Sequence, residues 1–170
     1  MTATAIAPVA ERQGFLYRDL VSDKLWERLV GRVVKDEGVE RLVAEQIVDA
    51  GLGFVKLIAD HPGHSFAPSP MVDIGWHTLI LYTRHYAALC QQLAGRFIHH
   101  EPNDDPDNPS TAGGPRATVA FMEAHGVAFN PVVWTTGLRA QNCENTSCGP
   151  DDGDRCSSGS EGGEPNCLGG

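Results

Sequence analysis

Between Pro70 and His100 the chain reads PMVDIGWHTLILYTRHYAALCQQLAGRFIHH, and this stretch limits the fold more than any other. Val72, Trp76, Leu79, Thr83, Tyr86, Cys90 and Leu93 recur at steps of four and three, the stripe of a helix buried along one side. Ser69 suits the N-cap. Pro70 suits the first turn, where its missing N–H costs nothing. Gly95 ends the pattern, so the spacing predicts one helix from Pro70 to Gly95. A chain built round such a stripe needs other helices to cover it.

The flanking patterns supply them. In SDKLWERLVGRVVKDEG, Ser22 is the expected N-cap, Leu25, Leu29 and Val33 repeat at steps of four, and Gly38 closes the helix. Val39, Val43, Ile47, Ala50, Phe54 and Leu57 then form a second apolar stripe, stopped by His61-Pro62-Gly63. Gly51 and Gly53 weaken its middle and imply either a bend or a close helix contact. HPGHSFAPSP, residues 61–70, is a rigid connection that carries His61 and His64. EPNDDPDNPSTAGGP has no apolar face and is a loop; Arg116–His125 is a short helix stopped by Gly126. Residues 127–138 read as an extended strap anchored by Trp134. The expected fold class is all-α, a small helical bundle of three to four helices over residues 15–138.

Composition separates that domain from its ends. Residues 1–14 are small and Ala/Thr-rich, with too little to bury, and read as a mobile arm. Residues 139–170 are nearly all Gly, Ser, Asn, Cys, Pro or acidic, a disordered tail by the same criterion. Residues 1–100 carry a net charge of −1, whereas residues 101–170 carry −8. A neutral domain with an acidic tail lacks the basic face that phosphate backbones require, which excludes electrostatic nucleic-acid binding and disfavours anionic membranes. No basic leader precedes an apolar run and no stretch approaches a membrane span, so the expectation is a cytoplasmic protein. Four of the five cysteines lie in the last 28 residues, so disulfides are not what holds the domain. Cys143, Cys148, Cys156 and Cys167 are 5, 8 and 11 positions apart, which forms no zinc knuckle.

The candidate chemistry lies at the two ends of the central stretch. Asp73 and His77 stand at i and i+4 on one helix face, and a chain that reverses after Gly95 could return His99 or His100 to them. Two imidazoles and a carboxylate on a rigid frame would hold one divalent metal, zinc or iron, with coordination positions left open. The commoner fate of an Asp and a His at this spacing is a structural pair, with the carboxylate at the positive end of the helix dipole. Trp76, Tyr82 and Tyr86 are more often core than cofactor box. Cys90, on an apolar stripe, reads as packing. A different class of function makes the helical domain a docking or carrier module, with an unknown protein partner acting on the cysteine-rich tail, or the tail buffering soft metal.

The order Asp73-x-x-Trp76-His77, Tyr82, Tyr86, Cys90, Gly95, Phe97-Ile98-x-His100 resembles the characteristic segment of the glycine-rich domain-containing protein family, in its bacterial members. The resemblance covers roughly residues 20–105. The chain has Leu79 where that family often carries a second histidine after the Trp-His pair. The resemblance implies kinship of fold and no particular reaction.

Overall fold

A computed structural model describes residues 14–100 and 113–135. Among them are six α-helices, α1 (Asp23–Glu37), α2 (Arg41–Asp60), α3 (Pro70–Leu81), α4 (Thr83–Ala94), α5 (Gly114–Ala124) and α6 (Pro131–Thr135), preceded by a 3₁₀ turn at Arg18–Leu20. There is no strand among these residues, so the expected all-α class holds. The arm before residue 14, residues 136–138 of the strap and the tail with its four cysteines lie outside the described residues.

Helix α1 forms as its sequence dictates. The Ser22 hydroxyl accepts from the Leu25 N–H at 3.3 Å, and Gly38 takes the left-handed conformation (φ 67°) that ends the helix. Leu25, Trp26, Leu29, Val30 and Val33 are all buried. Helix α2 is the axis of the molecule. It is continuous from Arg41 to Asp60 and packs most extensively on α3 and then on α1.

Of the two meanings Gly51 could have, the close contact is the one realised. A Cβ at Gly51 would stand 2.6 Å from the Gly75 carbonyl carbon, and one at Gly75 would stand 2.3 Å from the Ile47 carbonyl oxygen. Only glycine lets two backbones approach so closely. The helices cross there, and Val72, Gly75, Trp76 and Leu79 of α3 are buried against the bundle.

The single helix expected from Pro70 to Gly95 is two helices. The break falls at Tyr82 (φ −92°, ψ 57°), which carries neither a glycine nor a proline signal. Its cause is tertiary: the Tyr82 hydroxyl donates to the Arg28 carbonyl of α1 at 3.2 Å, and the Arg28 guanidinium lies 4.7 Å from the ring centre. Anchoring the ring on α1 diverts the chain, and Thr83, placed on the buried stripe by its spacing, is exposed. Tyr86, Leu89 and Cys90 return to the core on α4.

The strap is also corrected in part. Pro131–Thr135 is a turn of helix, started by the Asn130 carboxamide, which accepts from the Val132 N–H at 3.0 Å. Trp134 is its buried anchor, 5.9 Å from the Phe54 ring. Ser69 joins this end to the centre, because its hydroxyl caps α3 through the Val72 N–H and also donates to the Val133 carbonyl at 2.8 Å.

Candidate metal centre

The turn of α3 that touches α2 through Gly75 carries Asp73 and His77 on its other side. Asp73 belongs to the first turn, and its N–H is bonded to the Ser69 carbonyl at 2.9 Å. His77 lies one turn on, with Nδ1 2.9 Å from the Asp73 carbonyl oxygen and 3.3 Å from Asp73 Oδ1. When Nδ1 carries the proton it donates to that carbonyl, and the ring's lone pair is on Nε2.

The third member arrives from a distant segment. After α4, Gly95 takes a left-handed conformation (φ 66°) and the chain turns back. Tyr86 fixes the return: its hydroxyl accepts from the Trp76 indole N–H at 3.0 Å and donates to the Ile98 carbonyl at 2.7 Å. Burial raises the pKa of this phenol well above its ordinary value, so it stays a donor. With Ile98 buried, His100 comes to rest with Nε2 3.3 Å from Asp73 Oδ1. Its ring lies 4.4 Å from Trp76 and 4.3 Å from His77, centre to centre.

Three of the four residues singled out as ligands are therefore together. One ligand atom from each of Asp73, His77 and His100 lies within 4.8 Å of the others, the only such group of three or more among the described residues. His99 is not among them; it is exposed, with its ring 4.9 Å from Phe97. Alternation explains this, since Ile98 is buried and adjacent residues of an extended segment point to opposite sides. The group is graded in depth, His100 being 18% exposed, Asp73 36% and His77 55%.

A second polar feature is one that spacing did not single out. Asp49, on α2, is buried, and its two oxygens accept from the Leu16 N–H at 3.0 Å and the Tyr17 N–H at 2.7 Å. Burial pushes its pKa above the ordinary carboxylate value, opposed by the backbone N–H groups of Tyr17, Leu16 and Arg18. The signal was present as one carboxylate in the apolar run Ile47-Val48-Asp49-Ala50. Among the described residues no helix is long and apolar enough to cross a membrane.

Fold and site together define a small helical protein with a partly exposed Asp/His group on one face. The chain belongs to the UCP032817-like family, which it matches over residues 20–113, a span that includes Asp73, His77 and His100. No curated protein and no solved structure matches it.

Proposed function

We propose that the protein binds one divalent metal ion, zinc or iron, through Asp73, His77 and His100. The observation that carries this reading is the convergence of the three side chains from two segments of the chain, within 4.8 Å at their ligand atoms. The spacing suits an ion. Metal–ligand bonds of about 2.0–2.1 Å at tetrahedral angles put neighbouring donors roughly 3.3 Å apart. Asp73 Oδ1 and His100 Nε2 are separated by 3.3 Å, a distance that serves a hydrogen bond in the metal-free protein and equally two donors on one ion.

Each ring has a support of the kind metal-ligating histidines use. His77 Nδ1 is held by the Asp73 carbonyl, which would leave Nε2 for the ion, and His100 is braced on Trp76. Three protein ligands leave coordination positions open, so an ion held here would supply Lewis acidity toward a water or a small oxygen ligand. We also propose, on the Asp73-x-x-Trp76-His77 to His100 order, that this family shares its fold with the glycine-rich domain-containing proteins.

The test is metal content by elemental analysis of the full-length chain with the four tail cysteines changed to serine, beside the same protein carrying Asp73→Ala and His77→Ala. About one equivalent of zinc or iron in the first and none in the second is the expected result. Equal metal in both, or none in either after loading, would reduce the group to a structural hydrogen-bonded cluster.

A further inference from the structure

On α1 the outward positions are charged, Lys24, Glu27, Arg28 and Arg32 all being exposed, as a helix at a protein surface requires. Helix α3 has no such face. In PMVDIGWHTLIL only Asp73, His77 and Thr78 are hydrophilic, and Thr78 is buried. The other outward positions hold Ile74 and Ile80, both half-buried, and Leu81, which is 60% exposed. One exposed leucine is ordinary on a protein surface. Its position here is not, because Leu81 stands at i+4 to His77 and Ile80 at i+3. Helical side chains lean toward the N-terminus, so Leu81 leans over the turn that carries His77.

We propose, on the metal reading of Asp73, His77 and His100, that the open coordination position takes an organic monocarboxylate whose hydrocarbon part lies on Ile80 and Leu81. Charge selects the head group. Asp73 is the only carboxylate of the three-residue group, and the sequence carries no other acid between Asp60 and Glu101. A divalent ion held by one carboxylate and two neutral imidazoles keeps a net charge of about +1, which an anionic oxygen ligand neutralises.

The helix selects the rest of the molecule. Side chains one turn apart are separated by roughly 6 Å at Cβ, a distance that a chain of a few carbons spans from the ion to Leu81. A second charged group at the far end of the ligand would meet apolar side chains there and lose its water without a partner. The favoured ligand is therefore an anion at one end and a hydrocarbon at the other.

The experiment uses the full-length chain with the four tail cysteines changed to serine, loaded with cobalt(II), whose visible absorption reports its ligands. It is titrated with acetate and with hexanoate. A methylene taken fully out of water is worth about a factor of four in affinity, so partial cover of the longer chain should make hexanoate bind about tenfold more tightly than acetate. Leu81→Ser, at an exposed position, should abolish that advantage while cobalt content and acetate affinity stay the same. Equal affinity for the two acids in the cobalt-loaded protein would overturn the apolar subsite and leave the metal centre standing. Hexanoate bound as tightly without cobalt would overturn coordination of the head group and leave only an apolar patch. Failure to take up cobalt, or uptake unchanged by Asp73→Ala with His77→Ala, would remove the metal centre and this ligand together.

Discussion

Asp49 and Asp73 are both carboxylates on helices of the same core, and their surroundings differ in kind. Asp49 is enclosed, and backbone N–H groups of the segment before α1 occupy its oxygens. Asp73 is a third exposed, and it meets two imidazoles rather than a backbone. A carboxylate satisfied by backbone donors has finished its work on folding, because those donors have no other partner if it leaves. A carboxylate facing imidazoles is satisfied by groups that could serve equally well as its fellow ligands. The difference separates a structural acid from a candidate functional one without reference to any reaction.

The largest expected effect removes what both acids depend on. Asp49 and Asp73 keep their places because α2 and α3 touch through Gly51 and Gly75, where an added Cβ meets backbone. Gly75→Ala should cost about 3 kcal/mol or more, since the clash cannot be relieved by a side-chain rotation. Urea unfolding measures it. A loss under about 1 kcal/mol would mean that the crossing is looser than its geometry, and that the frame under Asp73 is not set by this contact.

The comparison itself is broken most directly by alanine at each acid in turn. Asp49→Ala leaves the Leu16 and Tyr17 N–H groups without their acceptor and should cost about 2 kcal/mol, with metal content unchanged. Asp73→Ala should remove the metal, and with both proteins stripped by chelator it should change stability by no more than roughly 0.5 kcal/mol, as a surface substitution away from the core would. Reversed outcomes would exchange the two roles.

How far these roles could be read from the sequence follows the same line. Helix α1 was legible to its ends, because Ser22 and Gly38 act through local hydrogen bonds and local backbone conformation. The Asp73/His77 pair was legible because helical spacing alone makes them neighbours. His100 was legible only as one of two adjacent candidates, since the choice depends on which face Ile98 buries, and the Trp76–Tyr86–Ile98 chain of hydrogen bonds settles that. The break at Tyr82 and the clasp at Asp49 were not legible. Each is produced by a partner far along the chain, Arg28 in one case and Leu16 with Tyr17 in the other.

Tyr86 joins the buried and open regions, so it sharpens the contrast at intermediate magnitude. Tyr86→Phe keeps the packing and deletes two buried hydrogen bonds, to Trp76 and to Ile98. About 1–2 kcal/mol of stability should be lost. Under the metal reading, affinity should also fall about tenfold, because the segment carrying His100 is no longer pinned. Equal loss of stability with unchanged affinity, measured by competition with a chelator, would show that His100 is placed by its contact with Trp76 alone.

The smallest effect is a dependence on pH that only the enclosed acid should produce. The pKa of Asp49 is raised in the folded protein, so the folded state holds this proton more tightly than the unfolded chain does. The stabilisation that the proton brings is complete below the unfolded value of about 3.9, and it is lost as pH rises through the folded value. Above that the contribution of the group is constant. The difference in unfolding free energy between the wild type and Asp49→Asn should therefore shrink as pH rises from about 4, then level off, because the carboxamide of the variant has no proton to release there. A difference that grows with pH would mean that the backbone N–H groups outweigh burial and favour the carboxylate. Asp49 would then be a charged clasp, closer in character to Asp73 than its enclosure implies.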